Sequence, residues 1–190
     1  MLIVCTTQLD LGFLIDSSGS VGEANFKKCL DFVIELTRAF TISPTDTRVG
    51  VVEFSHQAFP LFTFSDYATK AELEAAISNI KFIGSSTATG HGLKATEELF
   101  KDNRRGVPRI LIVMTDGQAN RGEDLTTPSQ ELRDAGVIII SVGLGHNYIK
   151  DELNTMASKP EAEHVYEAEF SKMGDIVNSI KSRMCKGKIC

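Results

Sequence analysis

Residues 109–117 read Arg-Ile-Leu-Ile-Val-Met-Thr-Asp-Gly, and the fold turns on how that stretch is taken. Arg109 to Met114 is almost continuously apolar, without the alternation of a half-exposed strand. That pattern belongs to a central parallel strand covered on both faces. Val137 to Val142 (VIIISV) is an element of the same kind. A helix predicted over Pro128–Ala135 and ended by Gly136 lies between them, which makes a strand–helix–strand unit.

Working outward, the same alternation runs along the chain. Asp10 to Ile15 is a short apolar strand leading to Asp16. From Ala24 to Phe40 the apolar residues Phe26, Cys29, Leu30, Val33, Leu36 and Phe40 recur at helical spacing. Thr47–Ser55 and Ala58–Phe64 flank a polar turn, as in an antiparallel hairpin, and Pro60 marks the second strand as an edge. Helices are predicted over Lys70–Ile80, Thr89–Phe100, Lys150–Met156 and Phe170–Met184, with a short strand at His164–Tyr166. The pattern predicts an α/β, doubly wound open sheet with helices on both faces. With no repeat or linker in view, residues 9–185 read as one domain. Residues 1–8, with Cys5, read as a flank and residues 186–190 as a tail.

The 190 residues suffice for one sizeable core. A net charge of −5 and the lack of a basic stripe argue against nucleic-acid binding. No apolar stretch approaches the roughly 20 residues that span a bilayer, so membrane insertion is not expected. The abrupt start, Met1-Leu2-Ile3-Val4 followed by Cys5, is too short for a secretory signal and reads as a piece of a longer secreted chain. The cysteines at 5, 29, 185 and 190 allow three full pairings. Joining Cys5 to Cys185 is the most economical, and closing so long a loop would stabilise the fold by about 5 kcal/mol. Cys29, on an apolar helical stripe, reads as a small buried hydrophobe. Four reduced thiols in a cytosolic protein is the alternative.

Open α/β sheets place their sites beyond the carboxyl ends of the strands. Three polar segments fall at such ends: Asp16-Ser17-Ser18-Gly19-Ser20, Gly84–Gly90 (GSSTATG) and Thr115-Asp116-Gly117. Asp16, Ser18 and Ser20 alternate, so their side chains can turn to one side. With Thr87 and Asp116 they offer two carboxylates and three hydroxyls, a hard-oxygen set suited to a hard dication such as Mg²⁺. Neither cysteine nor histidine belongs to the set, which disfavours zinc. Each string alone is ordinary turn sequence; their order and placement together carry the reading. A shell of this kind leaves positions for water, which an acidic side chain of a partner can displace. No residue stands out as a base for hydrolysis, so binding rather than catalysis is expected. Glycine-rich nucleotide loops and the hydrolase elbow are missing as well.

These residues resemble a von Willebrand factor type A domain over Leu9 to Cys185. Asp16-x-Ser18-x-Ser20 is similar to the family's DxSxS motif. Thr87, six residues before Leu93, stands where the family's metal-site threonine is expected, and Asp116 in MTDG completes the metal ion-dependent adhesion site. Residues 47–52 (TRVGVV), 156–160 (MASKP) and 163–166 (EHVY) resemble extracellular-matrix members such as matrilins and the non-triple-helical domains of collagens. The resemblance implies five parallel strands with one antiparallel edge strand, a terminal disulfide between Cys5 and Cys185, and Mg²⁺ or Mn²⁺ at the top of the sheet. It further implies a secreted location, matrix proteins such as collagen as partners, and self-assembly with sister domains.

His91, Gln118, Asn120 and Arg121 are candidates for the partner-binding rim, against the plainer reading of solvated loop polarity. His146 and His164 have no second ligand at metal spacing. Arg121-Gly122-Glu123-Asp124 is not an Arg-Gly-Asp recognition string, and no Asn-x-Ser/Thr acceptor occurs. A structural assembly domain whose ion only steadies the loops, a Mg²⁺-dependent enzyme of phosphoryl transfer or hydrolysis, and an intracellular relative compete with the adhesion reading.

Overall fold

The apolar run at 109–114 lies at the centre of a six-stranded sheet. The computed structural model describes residues 8–120 and 123–185. Its strands are β1 (Leu9–Asp16), β2 (Thr47–Phe54), β3 (Ala58–Phe62), β4 (Arg109–Thr115), β5 (Val137–Leu144) and β6 (Val165–Ala168). Their order is β3-β2-β1-β4-β5-β6, with β3 antiparallel to β2 and every other pairing parallel. This is the expected sheet, five parallel strands and one antiparallel edge strand. Every residue of β4 from Ile110 to Met114 is fully buried, because helices cover both faces.

The helices are α1 (Gly22–Thr37), α2 (Lys70–Ser78), α3 (Thr89–Leu99), α4 (Thr126–Asp134), α5 (Lys150–Met156), α6 (Glu161–His164) and α7 (Met173–Cys185). Alternate strand residues feed two cores. Phe13, Ile15, Ile112 and Met114 join side chains of α1, α2 and α7, whereas Leu14, Leu111 and Val113 join those of α3, α4 and α5. Full burial of each such side chain is worth about 1.5–3 kcal/mol relative to exposure, which is why continuous apolar strands select this architecture. Cys29 lies buried as a free thiol on α1, as its place on the apolar stripe predicts. The expected Cys5–Cys185 pairing lies outside the described residues.

Two glycines set the distance of α3 from the sheet. Gly12 and Gly50 are register partners on β1 and β2. A Cβ on Gly12 would sit 2.8 Å from the Phe100 ring, and one on Gly50 would sit 2.6 Å from Leu99. The end of α3 therefore packs directly on bare backbone.

Several boundaries differ from the sequence reading for local reasons. α1 stops at Thr37, although the apolar period runs on to Phe40, which is buried beyond the helix end. β3 ends at Phe62; Phe64 crosses to the other core, its ring centroid 5.2 Å from that of Phe100. α4 begins at Thr126 rather than Pro128, because the Asp124 carboxylate accepts from the Thr126 and Thr127 amides. His164 closes α6 rather than opening a strand, its ring nitrogen donating to the Pro160 carbonyl. The last helix opens with a 3₁₀ turn at Phe170–Lys172.

At the amino end of the sheet, Asp10 is fully buried between two arginines. Arg48 donates to it at 2.9 and 3.0 Å, and Arg104 at 3.0 and 2.8 Å. Arg104 also donates to the carbonyls of Leu9, Thr45 and Asp46, tying the start of β1 and the turn before β2 to one guanidinium.

Candidate metal centre

The strand order reverses between β1 and β4, the place where an open sheet leaves a crevice at its carboxyl edge. β1 and β4 are direct neighbours, Ile15 pairing with Met114, so Asp16 and Thr115 leave the sheet side by side. Asp16 Oδ1 accepts from the Ser18 amide at 2.8 Å, and its Oδ2 accepts from the Thr115 hydroxyl at 2.6 Å. The Ser18 and Ser20 hydroxyls lie 3.1 Å apart, and Ser20 donates to Asp116 Oδ1 at 2.8 Å. The structure thus brings Asp16, Ser18, Ser20 and Asp116 into one hydrogen-bonded set.

The intervening residues are anchored elsewhere. The Ser17 hydroxyl accepts from the Ile83 amide at 2.8 Å, and its carbonyl accepts from Gly84. Gly19 donates to the Ser85 carbonyl at 2.7 Å. These bonds stitch the first loop to the threonine loop. Ser55 holds the far side of that loop: its carbonyl accepts from Ala88 and its hydroxyl accepts from the Ser85 amide.

Thr87 enters through Asn120. The Thr87 amide donates to the Asn120 side-chain oxygen at 3.1 Å, and the Asn120 amide donates to the Thr87 carbonyl at 2.9 Å. Among the described residues no direct side-chain hydrogen bond ties Thr87 to the other four. Two glutamates steady the surroundings: Glu123 accepts from the Gly90 amide at 2.6 Å, and Glu152 from the Ala119 amide at 2.9 Å.

Burial dominates the electrostatics. Asp16 is 2% exposed, and burial pushes its pKa up to about 6; bonds from Ser18 and Thr115 oppose the rise and the Asp116 charge adds to it. Burial raises Asp116 as well, against the Ser20 bond. Neither carboxylate enters an ion pair among the described residues. Two buried carboxylates without a cation are costly, and a divalent ion would supply the missing charge. The donor set is carboxylate and hydroxyl throughout; among the described residues no group of three or more His, Cys, Asp or Glu could hold a metal ion without the hydroxyls. The residues therefore fit a hard dication with part of its shell open.

The rim candidates separate. His91 is exposed and borders a cleft of about 350 Å³ between α3 and α4, together with Lys94, Glu123 and Asp124. Gln118 is exposed beside the site. Asn120 is half-buried and committed to Thr87. Arg121 lies outside the described residues. Sequence reading missed Thr115, Ser55, Glu123 and Glu152 as supports. Thr115 alone carried a signal, as the hydroxyl before Asp116; the others reach the site from positions that no spacing rule connects.

A family model of the von Willebrand factor type A domain matches residues 10–179. The chain belongs to that family. Human cochlin is 34% identical over 185 residues, covering 96% of this type A chain and 33% of cochlin. Mouse von Willebrand factor A domain-containing protein 2 is 36% identical over 193 residues, with all of this chain and 23% of that protein covered. The type A chain thus spans a third or less of these relatives. Among solved structures, proximal thread matrix protein 1 from the mussel byssus superposes with a TM-score of 0.88 at 30% identity, covering 96% of this chain and 47% of that one. The same mussel protein has also been solved with zinc occupying its MIDAS motif, at 31% identity and a TM-score of 0.85. In that relative, then, the motif accommodates the ion that the donor set had disfavoured here.

Proposed function

We propose that this domain is an extracellular adhesion module that binds an acidic side chain of a matrix protein, such as collagen, through a divalent ion. Asp16, Ser18, Ser20, Thr87 and Asp116 are the residues that hold the ion, Mg²⁺ or Mn²⁺ in a secreted setting. The observation that carries this reading is the Ser20–Asp116 hydrogen bond, which closes the set from two loops at the sheet's switch point. When bound, the ion offers an electrophilic position to a carboxylate oxygen. Asp16 and Asp116 supply the negative charge, and Ser18 and Ser20 complete the set with neutral oxygens. That incomplete neutralisation favours an anionic partner group. Thr115, Asn120 and Glu152 hold the loops, while His91 and Gln118 border the face that a partner covers.

The experiment is binding to immobilised collagen and other matrix proteins in Mg²⁺, in Mn²⁺ and in chelator. Binding in either cation that disappears in chelator and in Asp116→Ala is the expected result; binding indifferent to chelator rejects the reading.

A structural role, in matrix assembly with sister domains, is the second reading. Its support is the density of metal-independent bonds that already join the threonine loop to the first loop at Ser17 and Gly19 and to the end of β2 at Ser55. On that reading the cation raises the melting temperature without changing partner binding.

A further inference from the structure

Next to the free edge of the sheet, on β2, lies a buried acid that is not among the metal-site residues. β3 is the edge strand, and its register against β2 shifts between Val51, which faces Phe62, and Val52, which faces Pro60. Leu61 is thus the extra residue of a bulge, and it is one of two large apolar side chains exposed among the described residues. Between this strand and α2 runs a groove of about 500 Å³, walled by Leu61, Phe62, Tyr67 and Ile80 and reaching Glu53 on β2. Phe62 and Tyr67 meet edge to face, their ring centroids 5.2 Å apart, and give the groove an aromatic wall.

Glu53 is 3% exposed, and its Oε1 has no hydrogen-bond partner among the described residues. None of the ion pairs among the described residues includes it, or Lys81 at the groove's rim. Burial pushes the pKa of Glu53 up, with the Ser17 hydroxyl opposing, which is the condition of a carboxylate short of partners. Native buried polar atoms are nearly always served by a donor, so an unserved oxygen on a carboxylate that lines a groove with an apolar wall points to a ligand with an apolar stem and a cationic end. An acidic ligand would be repelled, and a purely apolar one would leave the oxygen unserved.

We propose that the β3–α2 groove is a docking site for a basic side chain, lysine or arginine, of a partner protein. The alkyl stem lies on Leu61, Phe62 and Tyr67, and the cationic head is directed to the Glu53 carboxylate. The groove's lining shares no residue with Asp16, Ser18, Ser20, Thr87 and Asp116.

The test is a titration of the full chain with butylguanidinium, followed by backbone amide shifts in NMR, beside its uncharged isostere butylurea. Butylguanidinium is expected to move the signals of Phe62, Tyr67 and Ile80, with butylurea binding about tenfold more weakly, the difference between a charge-assisted and a neutral hydrogen bond. In Glu53→Gln the two compounds are expected to become equivalent. Where that variant does not fold, Tyr67→Ala is expected to weaken the butylguanidinium response by removing the stem's wall. Equal responses to the two compounds in the native protein overturn the proposal, as happens if Lys81 is already the counter-ion of Glu53. So does a response retained in Glu53→Gln or unaltered in Tyr67→Ala.

Discussion

Ser20 and Asp116, 96 residues apart in the chain, share a 2.8 Å hydrogen bond in which the serine hydroxyl donates to the carboxylate. The bond spans two loops that follow different strands. It places an acid from β4 within the ring of oxygens begun by Asp16. Asp16→Ala and Asp116→Ala are therefore expected to abolish the heat of Mg²⁺ binding in calorimetry and cation-dependent partner binding, with the circular dichroism spectrum retained. An unchanged heat in either variant would place the ion elsewhere.

The identity of the ion follows availability more than exclusion. Raw affinity of a given oxygen site rises from Mn²⁺ to Zn²⁺. At equal free concentration, zinc and manganese are expected to raise the melting temperature at least as much as magnesium, with chelator reversing all three. Stabilisation by magnesium alone contradicts this.

Thr115 supports the centre without belonging to the donor set. Its hydroxyl donates to Asp16 Oδ2 at 2.6 Å and orients that carboxylate. Thr115→Val keeps the shape and removes the donor, so cation affinity is expected to fall about 10–100-fold, the usual cost of losing an outer-sphere partner. Titration calorimetry on the variant reads this directly; an unchanged dissociation constant rules out the supporting role.

At the opposite end of the sheet the sign of the pH dependence is set by Asp10. Burial alone would raise its pKa, but the hydrogen bonds and charges of Arg48 and Arg104 outweigh burial and hold it below 3.8. The folded state therefore binds this proton less tightly than the unfolded chain does. Its contribution is fully present above pH 3.8 and is lost as the pH falls through the lowered folded value. Denaturant melts at stepped acid pH are expected to show that loss in the native protein and not in Asp10→Asn. Asp10→Ala, which leaves Arg48 only Asp102 and Arg104 only backbone carbonyls, is expected to cost up to about 3–5 kcal/mol at neutral pH.

What was legible in the sequence was whatever repeats or lies in line. Continuous apolar strands at Ile110–Met114 and Val137–Val142 require cover on two faces, and that requirement fixes the architecture. Asp16, Ser18 and Ser20 sit at alternate positions of one loop, so their convergence could be read from spacing. Asn120, expected at the rim, instead clasps Thr87, because an amide side chain has both the donor and the acceptor that a neighbouring backbone can use. Ser55 and Glu152 were invisible for a related reason: each reaches the loops from another element, and only the packed fold brings those elements together. Glu53 read as one more residue of a strand, since nothing in VVEF tells which of its neighbours leave it without a donor.

The bare backbone at Gly12 and Gly50 bears on how relatives of this domain can diverge. With Phe100 2.8 Å from where a side chain on residue 12 would begin, and Leu99 2.6 Å from its counterpart on residue 50, neither pair of positions can drift alone. Bulk gained on the strand has to be surrendered at the end of the helix. Substitutions at 12 and 100, or at 50 and 99, should therefore arrive in lineages as compensated exchanges, and Gly12→Ala should be tolerated better beside Phe100→Leu than by itself.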